Sequence, residues 1–150
     1  MWITPTPADI SRALTAPEKR AAQSTAVEEG QPDPLPGALA DAVQLARGYI
    51  AACARNRLGG DGTIPASLLS TVLAIARWEL LTRFPDVGLT TDARRAEYDD
   101  ALARLRDAAA GRLAIEQPPE EPPPTDKLPA PVPVILPRRL HRQPSDAEGL

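Results

Sequence analysis

Between residues 63 and 85, apolar side chains recur at the spacing of a helix face. Leu69, Val72, Leu73, Ala76 and Leu80 stand at i, i+3 and i+4 intervals and make one stripe. Leu68, Ile75 and Leu81 add apolar groups on both flanks, so this helix needs neighbours on more than one side. Thr63 and Pro65 suit its first turn, and Pro85 its end, because the residue before a proline is pushed out of the α region. The pattern predicts the central helix of a small bundle.

The same period marks the other elements. Thr6-Pro7-Ala8-Asp9 reads as a helix start, with Ile10, Ala13 and Leu14 as the buried face that follows. Thr15-Ala16-Pro17-Glu18 repeats the signal and predicts a second short helix to about residue 23. Residues 24–36, with EEGQPDPLP, read as a loop. A long helix is predicted over about 37–58, carrying Leu39, Val43, Ala46, Ile50, Cys53 and Arg57, with Arg47 and Arg55 off the stripe and Gly59 as its stop. Thr91-Asp92 opens the last helix, over about 92–110. Its stripe is Tyr98, Ala101, Leu102, Leu105, Ala108 and Ala109, and Gly111 closes it. Arg95–Asp99 and Asp100–Arg104 are i,i+4 pairs on its outer side. Leu113-Ala114-Ile115 is a short apolar, extended piece. The expected fold is all-α: a small bundle of about three long and two short helices over residues 1–115, followed by an extended proline-rich C-terminal arm over 116–150.

Composition sharpens that division. Ten of the 18 prolines lie after Gln117, too many for a helix there, and the polar remainder is too sparse in apolar groups for a core. With two Trp, two Tyr and one Phe among 150 residues, the core must come from Leu, Ile, Val and Ala. A net charge of −3 carries no general nucleic-acid footprint. The single cysteine excludes an internal disulfide and fits a reducing compartment. No apolar run reaches the length of a membrane span, and the N-terminus lacks both the basic and the apolar regions of a signal peptide. A soluble, intracellular protein is expected.

Catalytic chemistry is hard to place. The one histidine, His141, stands in the tail, where a side chain is not preorganised. Cys53 on an apolar stripe reads as a small buried hydrophobe. The turn GGDG at 59–62 is followed by no GK[ST], so it reads as a helix stop and not as a phosphate loop. Asp99 and Asp100 are sequence neighbours pointing to different sides of a helix, a solvated face and not a carboxylate dyad. No enzyme, metal or cofactor is expected.

The tail offers more. In LPAPVPVILP, residues 128–137, the apolar groups Leu128, Val132, Val134, Ile135 and Leu136 lie in a stretch that cannot fold on itself. A binding segment fits this better than a linker, which would be richer in Gly and Ser. Arg138, Arg139 and Arg142 follow, either as a bare charged tip or as a contact to acidic groups, a protein being preferred to DNA.

Several stretches resemble a known family. WITPTPADISRAL, DAVQLARGYIAACARNRL (41–58), LAIARWELL (73–81) and above all YDDALARLRDAAAGRLAI (98–115) are similar to Mu-type phage and prophage proteins of the head–tail connector, the neck adaptor or head-completion proteins. The resemblance covers about residues 2–115 and misses the proline-rich tail. It implies a virion protein of the head–tail neck, present in the host cytoplasm during assembly. Such subunits form a ring, often twelvefold, docked on the portal, extending the channel for double-stranded DNA and receiving the next neck or tail-completion protein. Glu28, Glu29 and Asp61, in polar loops, are then candidates to face the channel. A different class, a small helical nucleic-acid-binding phage protein resembling a packaging subunit, is opposed by the acidic balance.

Overall fold

The computed structural model describes residues 1–26, 32–84 and 88–119. They belong to one compact unit, Met1–Glu120. In chain order the elements are β1 (Trp2–Ile3), α1 (Pro7–Ala13), α2 (Ala16–Ala26), α3 (Pro34–Ala51), β2 (Ile64–Pro65), a single 3-10 turn (Ala66–Leu68), α4 (Leu69–Thr82) and α5 (Asp92–Ala109). The class is all-α, as the periodicity predicts.

The starts are set by local chemistry. The Asp9 carboxylate accepts from both the N–H (2.8 Å) and the hydroxyl (2.7 Å) of Thr6, which ties off the first turn of α1. These bonds, the hydroxyl's first, hold the Asp9 carboxyl below its usual range. Thr91 accepts from the Arg94 N–H at 3.3 Å at the head of α5. α5 ends as expected at Gly111, whose φ of 70° only glycine adopts freely. The Gly111 N–H reaches the Ala108 carbonyl and the Arg112 N–H that of Asp107, the paired bonds of a Schellman close.

α3 differs from the sequence reading at both ends. It begins at Pro34, inside the stretch read as loop, because Asp33 caps it (its carboxylate accepts from the Leu35 N–H at 2.9 Å) and Pro34 and Pro36 fall in the first turn, where no N–H is needed. It ends at Ala51 and not near 58. The Asn56 side-chain amide turns back to the Ile50 carbonyl at 3.3 Å, and the chain reverses there. Gly59 is therefore no helix stop. A Cβ at that position would stand 2.6 Å from the Trp2 ring, so the residue is small because an indole lies on it.

α4 also starts later than residues 63–65. Ile64 and Pro65 pair antiparallel with Ile3 and Trp2, and both are buried in that bridge. Thr63 donates its hydroxyl to the Gly60 carbonyl and caps nothing. From Leu69 onward α4 is the most enclosed helix: Val72, Ile75, Ala76, Leu80 and Leu81 have no exposed surface. It packs on both α3 and α5, which also touch each other, while α1 crosses α3 and α4. The main core gathers Ile10, Leu39, Ala42, Val43, Ala46, Ile50, Ile64, Leu68, Ile75 and Leu105 among others, and a smaller cluster joins Leu14, Ala22, Ala38 and Leu80. Leu73, placed on the stripe by its spacing, is only half-buried.

Candidate functional site

Three clusters of polar side chains stand out on this scaffold, and none was complete in the sequence. The first is built on Arg47. Its place off the apolar stripe of α3 predicts solvent, yet Arg47 is buried, with 8% of its surface exposed. The guanidinium donates to the carbonyls of Gly60 (2.8 Å), Thr63 (2.7 Å) and Gly59 (3.3 Å). One cation thus binds three carbonyls of the 59–63 turn, which is the condition for burying it. Asp61, the expected channel-facing residue, lies on this turn with its carboxylate fully exposed, 3.7 Å from the same guanidinium. Its charge is therefore partly offset from below.

The second cluster is a run of alternating charges across α2, α5 and α4. Glu18, buried in the first turn of α2, accepts from Arg94 at 3.0 Å; Arg94 also reaches Glu97 at 2.9 Å, and Glu97 accepts from Arg77 at 3.0 Å. Burial pushes the Glu18 carboxyl up. The Thr15 N–H (2.6 Å), the Thr15 hydroxyl and the Arg94 and Arg77 charges outweigh it and hold the group below its ordinary range. Beside this run Trp78 and Tyr98 stack with ring centroids 5.7 Å apart, fastening α4 to α5. The spacing of Arg95 and Asp99 gives a marginal pair at 4.0 Å. Asp100 and Arg104 do not reach ion-pair distance, and both stand on the rim of a groove with Arg77 and Glu97.

The third cluster closes the C-terminal end of the described chain onto its start. Beyond Gly111 the chain runs extended, with Leu113 and Ile115 packed on the core. Glu116 pairs with the Met1 ammonium group, its carbonyl accepts from the Trp2 indole N–H at 2.8 Å, and the Gln117 amide oxygen accepts from the Arg57 N–H at 3.1 Å. Residues 116 and 117 thus pack with the helices, although composition assigns them to the arm. Cys53 is buried here as expected, but in the turn after α3 and not on the helix. A bond from the Arg55 backbone, working against burial and helped by the Arg55 guanidinium, keeps its thiol below the ordinary value. Arg55 donates to the Gly111 carbonyl at 3.0 Å.

Of the residues expected to meet partners, Asp61 is the one the structure describes. Glu28, Glu29, Leu128, Val132, Val134, Ile135, Leu136, Arg138, Arg139 and Arg142 lie outside the described residues, as does Pro85. Among the described residues no helix is long and apolar enough to cross a membrane. The polar side chains whose burial the sequence did not mark are Arg47, Glu18 and Arg77. For Arg47 and Arg77 the signal was a charge between small or apolar neighbours, which helical spacing alone assigns to an outer face; Glu18, followed by Lys19 and Arg20, carried only the mark of a first-turn acid.

Comparison with curated proteins gives no match, and comparison with solved structures gives none either. A family model described as Bacteriophage Mu, Gp36 matches residues 6–131. That match continues past residue 115 into the proline-rich stretch, so the family likeness includes the beginning of the tail, contrary to the narrower expectation. It spans α1 to α5 and the extended piece after Gly111, and on that ground the chain belongs to the bacteriophage Mu Gp36 family.

Proposed function

We propose that this Mu-type phage protein is a head–tail connector adaptor. Copies of it form a ring docked on the portal, extend the DNA channel and present a surface to the next neck or tail-completion protein. The observation that carries the reading is the family match over residues 6–131. The close of α5 supports it: YDDALARLRDAAAGRLAI, the stretch most like connector proteins, folds as a helix, a glycine turn and an apolar strip docked on the core. A ring subunit needs different faces for its two neighbours, and a small Ala-rich helical bundle can supply helix faces for them. In this arrangement Asp61, on its clamped turn, is a candidate for the channel wall, where negative charge keeps DNA sliding.

The test is imaging of purified full-length chain mixed with purified portal. Rings of this chain seated on the portal are the expected result. Failure to associate, together with retention of DNA that weakens steeply with salt, would instead favour a nucleic-acid-binding packaging protein.

A further inference from the structure

Three stretches far apart in the sequence meet at Trp2. Its strand pairs with Ile64 and Pro65, and its ring lies on Gly59, where a Cβ would come within 2.6 Å of it. Its indole N–H donates to the Glu116 carbonyl at 2.8 Å. One residue on, the Gln117 amide oxygen accepts from the Arg57 N–H at 3.1 Å. Both bonds have a side chain at one end, and residues 114–117 lie in no helix or strand. The pair between Glu116 and the Met1 ammonium group is exposed and adds little. By contrast, the Arg112 and Leu113 N–H groups are both tied to the Asp107 carbonyl, at 2.8 and 3.1 Å. The attachment thus changes at Leu113. Behind it the backbone is fixed to α5; ahead of it two side-chain bonds and the burial of Ile115 do most of the holding.

Beside this stretch lies a cavity of about 280 Å³. Cys53, Arg55 and Asn56 line it from the turn after α3, and Leu113, Ile115 and Gln117 from the chain beyond α5. The Cys53 Sγ lies against Gly111, 3.3 Å from where a Cβ would stand, and the residue is buried. Detaching residues 114–117 takes Ile115 and Gln117 out of this lining and opens the way to the thiol. A segment with so few attachments opens at a lower free energy than the packed helices do.

We propose that residues 114–117 are a strap, hinged at Leu113 and latched by Trp2 and Arg57, which opens while the helices stay folded and lengthens the proline-rich arm from its root. Opening releases these residues as about 13 Å of extended chain. A pull on the arm favours the open form, because only that form yields the extra length. The latch belongs to the subunit itself and is independent of the connector reading.

The experiment uses the full chain, with its one cysteine as the reporter. A bond from the Arg55 backbone holds the Cys53 thiol below its ordinary value, so the thiol reacts once uncovered. Its alkylation by iodoacetamide is timed beside amide exchange of α3 and α4. The folded parent should react at least about tenfold more slowly than the urea-unfolded chain. Trp2→Phe keeps a ring on Gly59 and removes the N–H; Gln117→Ala removes the other bond from an exposed position that leaves the core intact. Each should speed alkylation about fivefold, the scale of one hydrogen bond, with exchange in α3 and α4 unchanged in Gln117→Ala. Glu18→Gln, far from the strap, should lower the melting point and leave alkylation as it was. A parent as reactive as the unfolded chain, or an unchanged rate in either latch variant, overturns the proposal. So does a rise in Gln117→Ala matched by core exchange, or a rise in Glu18→Gln.

Discussion

On one side of α4, α3 brings Leu39, Ala42, Val43, Ala46 and Ile50 into the shared core, all at most 5% exposed. On the other side, α5 contributes Ala101, Leu105 and Ala108, and the seam is completed by the Trp78–Tyr98 stack and the Arg77–Glu97 pair. The α3 seam is dry, and its alanines let the helices approach closely. The α5 seam is held by larger and more polar contacts, and beside it lies a groove whose lining includes Thr71 and Arg77, each with one buried polar atom unpartnered among the described residues. The same helix is thus wholly enclosed on one face and borders an open groove on the other.

The sharpest way to break this comparison is a charge on each side. Ala76→Asp places an unpaired carboxylate where there is no exposed surface, and the cost of several kcal/mol is comparable with a total stability of ~5–15 kcal/mol. The variant should be unfolded by circular dichroism. Leu73→Asp, in the half-buried groove, should stay folded with a lowered melting point. Equal damage from the two would erase the distinction.

Next in size is Arg47→Met, which keeps the buried stem and takes the cation from the carbonyls of Gly59 and Thr63, and from that of Gly60, which keeps its bonds from Thr63. A loss of about 2–3 kcal/mol is expected in urea unfolding, the scale of charge-assisted bonds. Fast amide exchange in the 59–63 turn should accompany it. A variant as stable as the parent would mean that the turn does not depend on the cation.

Glu18→Gln should cost less, about 1–2 kcal/mol at neutral pH, because Arg94 stays paired with Glu97 and is partly exposed. Its pH dependence carries a sign. The folded Glu18 carboxyl titrates below its ordinary 4.5, so its contribution is complete above that value and is lost as pH falls through the folded pKa. The melting points of parent and variant should therefore converge on acidification below about pH 4.5. A gap that stays constant to pH 3 would remove the Glu18–Arg94 pair from the account.

The smallest effect has the opposite direction. Thr71→Val relieves a buried hydroxyl of its missing partner and should stabilise the isolated chain by up to about 1 kcal/mol. A loss of stability would show that the hydroxyl is satisfied within the subunit.

Much of the fold was legible in the chain. The starts of α1, α2 and α5 and the stop at Gly111 follow from caps, prolines and one glycine acting within a few residues. The Pro34 start of α3 was missed because prolines read as loop until an aspartate cap places them in a first turn. The groove beside α4 and α5 was not legible, for its lining combines Ala13 with residues of both helices, and no local pattern reports that meeting.

The sequence by itself determined the helical class, the identity of the central helix and the order of the elements, all of which rest on spacings of three or four residues or on short-range caps, and its motifs carried the likeness to Mu-type phage proteins. Tertiary structure alone decided where α3 ends, that Ile64 and Pro65 pair with the N-terminus, and that Arg47 and Glu18 are buried. The strand pairing and the two burials depend on partners 12 to 76 residues away in the chain, and the Asn56 amide at the end of α3 also reaches the Ala108 carbonyl, 52 residues on. A charge at the edge of an apolar stripe has the same local pattern whether it meets water or a set of carbonyls, and only the packed chain supplies the difference in free energy between the two.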